Sequence, residues 1–155
     1  PISNFRAPIH QQGLIESITT ISDTFRKETG INTYFQHQCD TIQLPPETEG
    51  HLLRVIQESL VNIRKHSQAQ NVRILTNCLE NQRFWVLIED DGIGFDTEQN
   101  ILPIEGEHIG LSAMQQRMEA IGGTLEIESE PGEGTRISIT GAVKEQNEED
   151  IFALL

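Results

Sequence analysis

The stretch that most constrains this chain is Phe84-Trp85-Val86-Leu87-Ile88 followed directly by Glu89-Asp90-Asp91-Gly92-Ile93-Gly94-Phe95. Five consecutive apolar residues predict a buried strand. The strand ends in paired acids and then Gly-x-Gly. Asp90 can therefore point into a cavity and accept hydrogen bonds there. Gly92 and Gly94 lack Cβ, so the backbone can turn sharply and approach a neighbour closely. Acid-plus-glycine is also the composition of ordinary surface turns, so the motif decides nothing alone.

At 155 residues and 36% hydrophobic content, the chain is long and apolar enough for one domain with a single core. No apolar run approaches the roughly 18–20 residues of a membrane helix, and no signal peptide is visible. The chain opens Pro1-Ile2-Ser3-Asn4 without Met, as expected of a piece of a longer protein whose membrane segments would lie elsewhere. A formal net charge of -13 argues against binding nucleic acid or an anionic membrane through bulk electrostatics. A polyphosphate ligand would need local cations, backbone amides or a metal. Cys39 and Cys78 form no CxxC pair and read as reduced packing thiols of a cytosolic protein.

Residues 1–9 hold Pro1 and Pro8 and read as a lead-in. Leu14, Ile18, Ile21 and Phe25 recur at helical spacing and predict a helix over 10–29, closed by Gly30. Residues 31–38 read as a strand, and Pro46 can open the next helix, about 47–67. At about 100° per residue, Leu53, Ile56, Leu60 and Ile63 fall within about 80° of one another and should face a sheet. Glu58, Asn62, Lys65 and His66 share the opposite arc. Such an arc is ordinarily solvated. Here Val55 lies within it, and Asn62 is a poor mid-helix residue, so part of the arc should be covered.

Two strands, 71–79 and 83–88, are predicted around a tight turn at 80–82. Residues 95–109 are polar and aperiodic, a length typical of a lid or a disordered segment. A helix over 110–121 places Leu111, Met114, Met118 and Ile121 on one face, with both methionines expected in the core. Strands at 124–129 and 135–140 flank a turn at Glu130-Pro131-Gly132-Glu133-Gly134. The tail 144–155 carries an acidic run.

These pieces converge on one chemistry. A helix N-terminus at Gly110 offers free N–H groups and a positive dipole end, which suit phosphate. Asp90 suits a purine amino group. Glu58 and Asn62 supply oxygens, and hard oxygen ligands with substrate phosphates are how Mg²⁺ is held.

The motifs carry a family resemblance. Residues 57–67, Gln-Glu-Ser-Leu-Val-Asn-Ile-Arg-Lys-His-Ser, resemble an N box. Asp90-Asp91-Gly92-Ile93-Gly94 resembles a G1 box, residues 108–117 a G2 box, and Gly132-Glu133-Gly134-Thr135 the closing Gly-x-Gly-Thr motif. Together they are similar to the ATP-binding domain of sensor histidine kinases, in the superfamily shared with gyrase, heat-shock chaperone and mismatch-repair ATPases. The N and G2 boxes look like those of the nitrate/nitrite sensor (NarX/NarQ-like) group. The resemblance covers 47–141 well and 10–46 loosely.

It implies ATP and Mg²⁺ as ligands. Asp90 would bind the adenine amino group, with Thr135 assisting through water. Gly92 and Gly94 would let the base approach the backbone. Asn62 would hold Mg²⁺, and Glu58 would help place it. Lys65 and His66 would touch phosphates. The amides of Gly110 and Leu111 would hold phosphate, with His108 among the nucleotide-binding residues. His66 as a plain surface imidazole stands equally open. The family's phospho-accepting histidine motif is absent, so this piece should bind Mg-ATP without autophosphorylating. Its partners would be its parent's own dimerisation domain and a response regulator, with no nucleic acid and no direct membrane contact. It would be a cytoplasmic part of an inner-membrane sensor. A hydrolase using Glu58 as base, an anti-sigma-factor serine kinase and a degenerate interaction module are the alternatives.

The expected fold is a two-layer α/β sandwich, with a mixed, mostly antiparallel sheet and helices 10–29, 47–67 and 110–121 on one face. Residues 10–143 would form the domain, 1–9 the end of a preceding dimerisation helix, and 144–155 the tail.

Overall fold

The computed structural model describes residues 13–39, 43–79, 83–97 and 111–142. The lead-in, most of the expected lid and the acidic tail lie outside the described residues. Within them the chain runs α1 (Leu14–Thr29), β1 (Asn32–His37), α2 (Pro46–Asn62), a π-helical turn (Ile63–Ser67), β2 (Asn71–Leu79), β3 (Arg83–Asp90), α3 (Leu111–Ala120), β4 (Thr124–Ser129) and β5 (Thr135–Ala142).

The strands form one sheet in the order β1-β2-β3-β5-β4. The β1–β2 pair is parallel, and the other three pairs are antiparallel. A parallel pair cannot be closed by a hairpin, so α2 and its extension make the crossover. Period-2 alternation assigns the two faces of the sheet. Val72, Ile74, Phe84, Val86, Ile88, Ile137 and Ile139 share a core with Ile18 and Phe25 of α1, Leu52, Leu53, Ile56 and Leu60 of α2, and Met114 and Met118 of α3. Each such buried apolar side chain is worth about 1.5–3 kcal/mol, which is why the helices sit on this face. The other face carries a charged ladder. Arg73 and Arg136 both donate to the carboxylate of Glu89 between them, and Arg136 also pairs with Glu128 at 3.7 Å.

Two expectations need correction. The helix expected through residue 67 is α-helical only to Asn62, and its last five residues form the π-helical turn. Cys39 and Cys78, expected as reduced thiols, are joined in a disulfide with Cα atoms 5.6 Å apart. The parallel register explains the second. Asn32 lies opposite Asn71 and His37 opposite Thr76, so the same offset carried two residues further brings Cys39 beside Cys78. Cysteine spacing in sequence carries no trace of that offset.

Candidate functional site

β3 delivers Asp90 from the core to the edge of a cavity of about 190 Å³. Its walls come from α2 and its π-helical extension (Ser59, Asn62, Ile63, His66, Ser67), the turn after β3 (Ile93, Gly94, Phe95), the start of α3 (Leu111) and the inward faces of β3, β4 and β5 (Ile88, Ile127, Thr135, Ile137). The helical contributors fall at i, i+3, i+4, i+7 and i+8, one stripe of a helix. That stripe straddles the border between the expected apolar and polar arcs, so Ile63 and His66 both reach it. Glu58 and Lys65 lie about 40–60° further round from Asn62 at helical spacing. They are absent from the cavity wall, Glu58 half-buried and Lys65 exposed.

The Asp90 carboxylate accepts a hydrogen bond from the Gly92 N–H at 2.8 Å. Burial pushes its pKa above the ordinary aspartate value, opposed by the Gly92 amide, reinforced by the charge of Asp91 and opposed again by the Thr135 amide. The result is a deep acceptor within mostly apolar walls, suited to a flat ring bearing an amino group. Asp91 does something different. It turns away and clamps the start of β2, accepting from the N–H groups of Gln70 and Asn71 at 2.9 Å each and from Asn71 Nδ2 at 2.7 Å. These bonds, the Asn71 side chain foremost, hold its pKa below the ordinary value.

The glycines of the turn serve the chain's own backbone. A Cβ on Gly92 would lie 2.2 Å from the Ser67 carbonyl oxygen, the same oxygen that accepts the Ile93 N–H at 2.7 Å. Gly94 has φ +62°, and its Cβ would lie 2.1 Å from the Glu130 carbonyl oxygen. The turn after β3 is thereby stitched to the π-helical turn on one side and to the β4–β5 turn on the other.

Sequence reasoning passed over two residues. Ser67 ends the π-helical turn, with its hydroxyl donating to the Ile63 carbonyl at 2.7 Å and accepting from the Ala69 N–H at 3.0 Å. Buried Ser129 accepts from the Phe95 N–H at 2.9 Å, donates to the Gly134 carbonyl at 2.9 Å and meets Thr135 Oγ1 at 2.8 Å. The available signal was position: Ser129 occupies the inward phase of β4 after Leu125 and Ile127, where a hydroxyl needs partners.

Of the expected site residues, Asn62, His66, Asp90, Gly94, Leu111 and Thr135 converge on the cavity, with Gly92 packed behind it. His108 and Gly110 lie outside the described residues.

The sequence and the fold have known relatives. Residues 47–144 match the family described as "Histidine kinase-, DNA gyrase B-, and HSP90-like ATPase". Sensor histidine kinase LiaS of Bacillus subtilis is 32% identical over 90% of this chain and 38% of its own length. Nitrate/nitrite sensor protein NarQ of Escherichia coli is 29% identical over 97% of this chain and 26% of its own. The chain thus spans well under half of either relative. The histidine kinase domain of the blue-light activated histidine kinase EL346 from Erythrobacter litoralis superposes with a TM-score of 0.71 at 22% identity, over 84% of this chain and 61% of that one. With the family match extending over most of the domain, from the first turn of α2 past the end of β5, the chain belongs to the histidine kinase-, DNA gyrase B- and HSP90-like ATPase family.

Proposed function

We propose that residues 10–143 are the ATP-binding catalytic domain of a two-component sensor histidine kinase. The domain binds Mg-ATP and donates the γ-phosphoryl group to a histidine on a dimerisation domain outside this chain, from which it passes to an aspartate of a response regulator. The observation that carries this reading is Asp90, an acceptor at the end of a core strand, half-enclosed by isoleucines and facing a helix that presents Asn62 and His66. Asp90 takes the exocyclic amino group of adenine, and the isoleucines cover the ring faces. Leu111 at the start of α3 and His66 line the way to the phosphates. The Asn62 carboxamide oxygen is a hard ligand that fits Mg²⁺, whose chemistry is to neutralise the phosphate oxygens. Glu58 as a helper in placing Mg²⁺, Lys65 as a phosphate contact, and His108 and Gly110 at the nucleotide are assigned on the resemblance alone.

Phosphoryl transfer needs positioning and charge stabilisation more than protein-borne covalent chemistry, which suits a domain that only holds the donor. The N-box and G2-box residues and the 29% identity to NarQ support a nitrate/nitrite-type sensor, and the 32% identity to LiaS supports the wider sensor-kinase group as well. We place the domain on the cytoplasmic side of a membrane-anchored parent. No described helix is long and apolar enough to cross a membrane.

The test is calorimetric titration with a non-hydrolysable ATP analogue, with and without Mg²⁺, beside Asp90→Asn. Saturable, Mg²⁺-dependent binding lost in the variant supports the reading. Turnover of ATP by this chain alone, with no acceptor histidine supplied, would favour the hydrolase.

A further inference from the structure

The hydrogen-bond count at Ser129 has a direction. The hydroxyl owns a single hydrogen. The Gly134 carbonyl can only accept, so at 2.9 Å that hydrogen is spent on it. The Phe95 N–H can only donate, and at 2.9 Å it occupies one lone pair of the oxygen. The remaining contact, 2.8 Å to Thr135 Oγ1, could run either way by distance alone. With the hydrogen committed, Ser129 can only accept there. The Thr135 hydroxyl must donate to it. Thr135 is itself a cavity residue beside Asp90, and the two are directly paired across β3 and β5.

We infer that Ser129 is a positioning residue that fixes the Thr135 hydroxyl as an acceptor toward the cavity and so sets which purine the site admits. The inference rests on the proposed binding of a nucleotide base at Asp90. With its hydrogen held by Ser129, Thr135 Oγ1 presents only lone pairs to a group in direct contact with it. The Asp90 carboxylate does the same. Where it meets the 6-substituent rather than N1, whose polarity is reversed in a 6-oxo ring, a wall that only accepts selects a group that only donates, a 6-amino group. It opposes a 6-oxo group, whose lone pairs would face those of the wall. Without the Ser129 hydroxyl, Thr135 is free to rotate and donate, and the opposition to a 6-oxo purine weakens. Because Ser129 also ties Phe95 to the β4–β5 turn, a general loosening would lower affinity for every nucleotide. Only the positioning role changes the ratio between purines.

The experiment titrates the 155-residue chain with non-hydrolysable analogues of ATP and of inosine triphosphate, which differ at the 6-position. Wild type, Ser129→Ala, Ser129→Thr, Thr135→Val and the Ser129→Ala/Thr135→Val double variant are compared. Ser129→Ala is expected to reduce the adenine-over-inosine affinity ratio by about three- to tenfold, the size of one hydrogen bond. Ser129→Thr should restore it. Within the Thr135→Val background, Ser129→Ala should leave the ratio unmoved, since the group it acts through is gone. If Ser129→Ala does not fold, Ser129→Cys, a weak donor and acceptor, carries the same comparison. An unchanged ratio in Ser129→Ala, with ATP binding still dependent on Asp90, overturns the role of Ser129 alone. Equal binding by wild type and Asp90→Asn overturns the base site and this inference with it.

Discussion

Gly92→Ala separates two reasons a glycine can stand after Asp90. One is to let a base approach the backbone. The other is that the chain's own backbone is already there. The structure quantifies the second. An added Cβ would lie 2.2 Å from the Ser67 carbonyl oxygen, 2.7 Å from Ser67 Cβ and 2.8 Å from Asp90 Oδ1. The first of these is backbone and cannot step aside as a flexible side chain would. Gly92 is not among the residues with positive φ, so backbone strain adds nothing and the cost is steric. Overpacking of this kind costs about 1–3 kcal/mol. Pushing the two turns apart also weakens the 2.7 Å bond from the Ile93 N–H to the Ser67 carbonyl, worth about 1 kcal/mol. The total is about 2–4 kcal/mol, lost without any nucleotide present. Gly50 in α2 is the control: it has nothing within 4 Å of the position a Cβ would take, and Gly50→Ala should stabilise by about 0.5–1 kcal/mol through helix propensity. Urea unfolding of the nucleotide-free chain measures both. With a slope of about 1–3 kcal/mol/M, the Gly92→Ala midpoint should fall by at least about 0.7 M while that of Gly50→Ala rises. A Gly92→Ala protein as stable as wild type without nucleotide, yet impaired in binding it, would refute the backbone argument and return the glycine to the ligand.

Asp90→Asn should abolish nucleotide binding while leaving the nucleotide-free domain at least as stable as wild type at pH 7. Burial raises the folded pKa of Asp90, so the charged form weakens the fold above that pKa and acidification through it relieves the penalty. The gain of the variant over wild type should therefore shrink in urea titrations as pH is lowered from the raised folded pKa toward the ordinary aspartate value. Asp91 has the opposite sign. Its folded pKa is lowered by Asn71, so its contribution is present above the ordinary aspartate pKa and lost as pH falls from there through the lowered value. Asp91→Ala should cost about 1 kcal/mol at pH 7, modest because the group is exposed, and should flatten that part of the acid limb. Breaking the Cys39–Cys78 disulfide, at a sequence separation of 39, should remove about 2–4 kcal/mol on the loop-entropy scale. Urea midpoints that do not move on adding reductant, with two thiols titrating beforehand, would count against the bond.

Much of the site was legible because its parts are local. The apolar run into Asp90, the glycines beyond it and the helical period of α2 are patterns within a dozen residues each. Strand boundaries followed for the same reason, and β3 and β5 each ran only two residues past their expected ends. What sequence did not yield depends on pairing between distant segments. The disulfide needs the offset of a parallel pair. The cause of Gly92 lies in the Ser67 carbonyl, twenty-five positions earlier. The role of Ser129 depends on Phe95, Gly134 and Thr135 meeting at one oxygen. The π-helical turn is a fourth case. An ideal period of 3.6 segregates apolar from polar arcs, whereas the cavity faces the border between them.

The strand order has a kinetic consequence. The β2–β3 and β4–β5 pairs are each closed by short connections and can form within microseconds. The β3–β5 pair joins Asp90 to Thr135 across forty-five positions, and closing so long a segment is the slower event. That pair is also the seam on which Asp90 and Thr135 meet at the cavity. The binding wall is therefore completed by the step that unites two preformed halves of the sheet. A nucleotide held at that seam should act chiefly as a brake on the halves' separation, lengthening the lifetime of the folded domain while leaving its rate of formation almost untouched.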